Sequence, residues 1–227
     1  MFTFQFPLYI SDLANGMRYK YLTVEGNIGA GKTSLATLLS QQLNTKLILE
    51  QFADNPFLPQ FYKKPKQSAF PLELFFLAER YQQLKDVASS PDLFASGMIT
   101  DYLFAKSHLF ASINLQDEEM KLFKRLAQIM QSSLPEPELL LYLHTPVEKL
   151  LSNISKRGRE YEKDITPAYL QRIQNGYFEL FKSLPHLKIV VVDATNLDFV
   201  NSKNDYDAIL QMLSENHEQG MRVISLK

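Results

Sequence analysis

Gly26-Asn27-Ile28-Gly29-Ala30-Gly31-Lys32-Thr33 sets a glycine, four residues, then Gly-Lys-Thr, a spacing suited to holding phosphate. The glycines let backbone N–H groups turn inward around phosphate oxygens, and a helix N-terminus behind them adds partial positive charge. Lys32 would meet the outer phosphates as a point charge. The Thr33 hydroxyl would meet a magnesium ion, with Ser34 following on the same turn. Residues 26–34 are therefore a nucleotide site, but such a loop does not name the acceptor.

Transfer of a phosphoryl group needs an acceptor freed of its proton, charge neutralisation at the phosphates and in-line placement. Glu50 and Asp101 each close a short apolar run, so both should stand at the rim where open α/β sheets bind ligands. There Glu50 can act as general base, and Asp101 as a magnesium ligand, directly or through water. Taken singly, either carboxylate can equally cap a helix or pair with a lysine. Arg157 and Arg159 bracket Gly158. Two guanidinium groups at a mobile helix end can close on a transferring phosphate, or can simply answer the helix dipole. Glu73 and Arg80 lie seven residues apart, on one face of a helix whose other residues there are apolar, Phe70, Leu77 and Leu84. A charged pair in such a place is costly unless paired or liganded. They either stabilise each other or line a base pocket.

The elements that must position these groups alternate between strand and helix, as a parallel sheet with helices on both faces requires. Strands are expected at Tyr19 to Glu25, Lys46 to Glu50, Met98 to Thr100, Leu139 to Leu143 and Lys188 to Val192. Helical spacing covers Thr33 to Leu43, about Phe70 to Ala88, Tyr102 to Ile113, Asp117 to Ser132 and Asp205 to Glu215. Thr145-Pro146-Val147-Glu148 offers an N-cap, a proline at the first helical position and a capping-box glutamate, for a helix stopping near Gly158. Thr166-Pro167 starts another. The last ten residues carry no clear pattern.

A chain of 227 residues with 45% apolar content can bury a core of its own, and nothing divides it into two domains. A net charge of −1 argues against a sequence-independent grip on nucleic acid or an anionic membrane, though it leaves room for local basic clusters. With no cysteine there are no disulfides, thiol nucleophiles or Cys-based metal sites. The apolar start is broken by Gln5 and Pro7 and has no basic lead, so it does not read as a signal peptide. No run reaches the ~20 apolar residues of a membrane span, and a soluble, cytoplasmic protein is expected. The four histidines lack metal-ligand spacing.

From about Tyr19 to Leu213 the sequence resembles the deoxynucleoside kinase family. The loop Gly26 to Thr33 is in that family's form. Glu50 falls where the family carries the glutamate that takes the proton from the nucleoside 5′-hydroxyl. Asp54-Asn55-Pro56-Phe57-Leu58 and Phe61-Tyr62 follow as in many bacterial members, Tyr62 matching the tyrosine at the sugar 3′-hydroxyl. Glu73 and Arg80 match the family's glutamine and arginine. Lys156-Arg157-Gly158-Arg159-Glu160-Tyr161-Glu162 resembles its arginine-rich lid, with Glu162 as the glutamate that pairs with the 3′-hydroxyl. Asp193 to Phe199 resembles the ATP-base loop and brings in Asp198 and Phe199.

The resemblance implies a P-loop kinase with a five-stranded parallel sheet, using ATP and Mg2+ on a deoxynucleoside, and a homodimer built on the long helices. It also implies an N-terminal extension over 1–18, a kinase domain over 19–217 and a tail over 218–227. It is imperfect: Tyr102 stands where an arginine is usual, with Lys106 one turn on as candidate substitute, and Ser107 replaces an aspartate of several members. Glu73 is expected to be kept ionised by Arg80 and so to accept purines, deoxyguanosine among them. Two other readings stand beside this one, a nucleoside monophosphate kinase and a nucleotide-binding module without catalysis.

Overall fold

The computed structural model describes residues 18–51, 55–89 and 95–226. Its centre is β1 (Tyr21–Gly26), in which every residue is buried. Around it stand β2 (Lys46–Ile48), β3 (Met98–Thr100), β4 (Leu139–His144), β5 (Lys188–Asp193) and β6 (Gly220–Ile224), in the order β2-β3-β1-β4-β5-β6. Every pairing is parallel, so all strand ends of one sense share one rim. β4 shows why both faces are covered. Leu139, Leu141 and Leu143 pack into one cluster, and Leu140 and Tyr142 into another, since alternate side chains of a strand point to opposite faces.

One face carries α1 (Lys32–Leu43), α6 (Val147–Arg157) and α8 (Lys203–Ser214), through Leu35, Leu39, Leu150, Ile154, Ile209 and Leu213. The other carries α3 (Pro65–Ser89), α4 (Lys106–Asn114), α5 (Asp117–Gln131) and α7 (Pro167–Lys182). A short α2 (Leu58–Lys63) and a 3-10 turn at Glu160–Glu162 lie beside the rim.

The α/β architecture with a parallel sheet is as expected, with six strands instead of five. The sixth lies in the presumed tail. Its sequence Gly-Met-Arg-Val-Ile is short and its middle three residues are exposed because it forms the sheet's outer edge, where Val223 is 70% exposed. β2 ends at Ile48, two residues early: Asp101 N–H donates to Ile48 O, and Glu50 N–H turns to Asp101 Oδ1. The long helix begins at Pro65, five residues before the expected Phe70, so Pro71 lies inside it. α4 begins at Lys106, not Tyr102, because Glu25 Oε1 takes the Leu103 N–H at 2.7 Å and holds that stretch in a turn. Thr145 is no N-cap: Pro146 is extended, the helix starts at Val147, and neither the cap nor the capping box forms. Gly158 and Thr166 end and start their helices as expected, Gly158 left-handed at φ 71 and Thr166 accepting from Tyr169 N–H.

Candidate active site

The loop after β1 turns on Gly29 and Gly31, at φ 83 and 88. Only glycine adopts these values without strain. Asn27 Nδ2 donates to Leu170 O and Asn153 Nδ2 to Gly29 O, so the loop is braced from α7 and α6. Its N–H groups and the start of α1 form an anion cradle. Lys32 Nζ lies 3.1 Å from Asn27 O within it. Burial and the nearby Lys106 push the Lys32 ammonium down.

Two cavities meet at this loop. The smaller, about 130 Å³, is walled by Glu50, Tyr62, Glu73, Arg80, Lys106 and Glu162, among others. The wider groove, about 770 Å³, runs past Ser34, Lys149, Asn153, Asp198 and Phe199. Gly29, Lys32, Thr33, Arg157 and Arg159 line both. A triphosphate suits the groove and a smaller acceptor the cavity, and the shared residues mark where a phosphoryl group would cross.

Glu50, just past β2, keeps 19% of its side chain exposed. Arg80 Nε donates to its Oε1 at 2.8 Å, and Lys106 Nζ to its Oε2 at 3.2 Å. Burial pushes the Glu50 carboxyl up, but Lys106, Arg80 and Lys32 together outweigh it and bring it down to about 2. It is an anion at neutral pH, at hand for a hydroxyl proton.

Thr33 Oγ1 donates to Asp101 Oδ2 at 2.5 Å. A hydroxyl and a carboxylate oxygen side by side at a phosphate cradle suit magnesium, which takes few protein ligands and shares the rest with phosphates and water. Among the described residues no group of three or more His, Cys, Asp or Glu could hold a metal by itself.

Glu73 and Arg80 are both buried on one face of α3, but they do not pair. Arg80 gives Nε to Glu50 and NH1 to Ser107 Oγ at 2.6 Å. Glu73 Oε1 instead accepts from Asn114 Nδ2 at 2.7 Å. Burial therefore prevails over Asn114 and Arg80 and raises the Glu73 carboxyl to about 7. The expectation that Arg80 keeps Glu73 ionised is corrected: its donors are directed elsewhere.

Tyr62 stacks on Tyr161 at 6.3 Å with ring planes 8° apart, and burial pushes its phenol well above the ordinary value. Glu162, buried, accepts from Arg157 Nε and NH2 and from Arg159 NH1. Phe199 packs over Gly31, and Lys149 Nζ donates to the carbonyls of Ala194, Thr195 and Leu197, fixing the loop before it. Asp198 accepts from Asn201 in that loop.

The fold thus brings every candidate residue to one rim. It also brings Glu25, Asn114, Lys149 and Asn153, which motif reading passes over. Glu25 has a signal in hindsight: it is the one formal charge in a wholly buried strand.

A phosphate loop on the central strand, a carboxylate on the adjoining rim and a second cavity across the cradle define a P-loop α/β phosphotransferase. The deoxynucleoside kinase family profile matches residues 22–217. The chain is 36% identical over 199 residues to a deoxyguanosine kinase of Bacillus subtilis, covering 86% of this chain and 96% of that one. It is 30% identical to a deoxyadenosine kinase of Dictyostelium discoideum, covering 87% and 79%. In structure it resembles a deoxyadenosine kinase from M. mycoides with bound dATP, at TM-score 0.74 and 23% identity, covering 86% of this chain and all of that one. The chain belongs to the deoxynucleoside kinase family.

Proposed function

We propose that the protein transfers the γ-phosphate of ATP to the 5′-hydroxyl of a deoxynucleoside, with magnesium, in the cytoplasm. The observation that carries this reading is the pair of cavities joined at Lys32, Thr33, Arg157 and Arg159, with Glu50 lining only the smaller. ATP takes the groove, with its base at the Asp198 and Phe199 loop and its phosphates on residues 26–34. The nucleoside takes the cavity, its sugar against Tyr62 and Glu162 and its base between Glu73 and Arg80.

Glu50 accepts the hydroxyl proton, the 5′-oxygen bonds to the γ-phosphorus, and the bond to the β–γ bridging oxygen breaks to release ADP. The cations that lower Glu50 oppose its early protonation, which fits a loose transition state where the proton leaves late. Lys32 meets charge on the phosphates. Arg157 and Arg159, now on Glu162, are near enough to join it as a closing lid. Thr33 and Asp101 would hold magnesium, which would neutralise charge on the phosphates. A monophosphate acceptor would need cations in the cavity wall from 55 to 67, where Leu58, Phe61 and Tyr62 stand instead, so a nucleoside is favoured.

The acceptor class is purine deoxynucleosides, deoxyguanosine among them, read through Glu73. The homodimer implied by the family resemblance is retained; Leu122 and Ile129 on α5, 48% and 69% exposed, give it apolar surface, and light scattering in solution tests it.

Labelled phosphate transfer from ATP to the four deoxynucleosides and their monophosphates is the direct test. Product from the nucleosides alone supports the reading, and product only from monophosphates overturns it. Glu50→Gln should lower kcat about 10²-fold or more with little change in nucleoside affinity, since shape is kept and the base removed.

A further inference from the structure

Glu25 has no exposed surface, and a carboxylate in that position is costly unless hydrogen bonds and an opposite charge meet it. Both do. Oε1 accepts from Leu103 N–H at 2.7 Å. Oε2 accepts from Tyr177 OH at 2.8 Å and from Gly26 N–H at 3.1 Å. Lys106 Nζ lies 3.3 Å from Oε1 and 3.2 Å from Glu50 Oε1, with 3% of its side chain exposed. One buried ammonium thus stands between the carboxylate at the end of β1 and the carboxylate past β2.

Glu25 also holds Lys106 through the backbone. Leu103 donates to it by N–H and accepts from Lys106 N–H by its carbonyl, so both the side chain and the turn that opens α4 hang from this carboxylate. A lysine is a compact charge on a flexible stem and does not orient itself as a guanidinium fork does. Its direction must come from its partners.

We propose that Glu25 is a positioning residue for phosphoryl transfer: it fixes the Lys106 ammonium against Glu50 and so sets how the Glu50 carboxylate faces the acceptor hydroxyl. This rests on the reading of Glu50 as base. Arg80, tied to Ser107, holds Glu50 from the α3 side. Lys106, tied to Glu25, holds it from α4.

Steady-state kinetics on the full chain test this with Glu25→Gln, Lys106→Met, Lys106→Arg and the Glu25→Gln/Lys106→Met double variant. Lys106→Met should lower kcat about 10²-fold with nucleoside KM within about threefold, and Lys106→Arg should recover about tenfold of that. Glu25→Gln should lower kcat about tenfold, and the double variant should be no slower than Lys106→Met alone, because Glu25 acts only through Lys106. A double variant slowed by the product of the two single effects overturns the proposal, as does a Glu25→Gln enzyme with wild-type kcat. If Glu25→Gln does not fold, Glu25→Asp keeps the charge but draws it back by a methylene. It should lower kcat at an unchanged nucleoside KM, and wild-type kcat there also overturns the proposal. Failure of the underlying reading would look different: Glu50→Gln would turn over like the wild type in the same assay.

Discussion

Glu73 shows how one side chain can set a preference that its type alone leaves open. An ionised carboxylate only accepts hydrogen bonds and so suits the two donors of guanine, N1–H and N2–H. A neutral carboxyl donates once and accepts once, which suits the ring nitrogen and amino group of adenine. Burial raises Glu73 to about 7, so the anion dominates above that pH and the acid below it. The groups around it are Arg80 on its own helix, Asn114 from α4, Tyr169 from α7 and Glu50 across the cavity. The ratio of kcat/KM for deoxyguanosine over deoxyadenosine should therefore rise about tenfold from pH 6 to pH 8, and Glu73→Gln should flatten that rise. Competition assays at several pH values measure this, and an equally steep profile in the variant means that Glu73 does not read the base.

At the scale of elements, Lys149 makes the clearest case. A single ammonium on α6 donates to three carbonyls of the 194–197 loop, and with the Asp193 carboxylate, which accepts from Thr195 N–H and Oγ1, it sets that loop's shape. Lys149→Met should raise KM for ATP about tenfold while leaving nucleoside KM unchanged, because only the donor groove loses its support. Much of the element pattern was legible in the sequence. The phosphate loop is contiguous, and continuous apolar runs such as Leu139 to Leu143 leave little room but a strand covered on both faces. What escaped depends on distant partners. α2 is six residues long and too short for periodicity to register. α4 starts late because Glu25, 78 residues away in sequence, claims a backbone donor. Arg80 and Glu73 share a face as expected, yet Ser107 and Asn114 decide which neighbours they bond. That choice lies in tertiary packing and leaves no mark on spacing.

For the whole molecule, β6 completes the sheet: it covers β5 through five paired residues, Lys188 to Val192. Truncation after Gln219 leaves that edge unpaired and should lower stability on the order of 3 kcal/mol, read as a fall in the midpoint of urea unfolding. An unchanged midpoint would make β6 an ornament of the edge. β1 raises a different matter, that of time. It is made before the strands that flank it and carries the phosphate loop: among the described residues its partners are β3, some 77 residues later, and β4, about 117 residues later. As the chain leaves the ribosome, this strand, wholly buried in the finished fold, must wait without a neighbour until residue 100 has emerged, and with one side bare until residue 144. Nascent chains halted before that point should be cut readily by protease within residues 21–26, and longer ones should resist. The part of the protein that grips the nucleotide is thus synthesised before either of the strands that hold it in place.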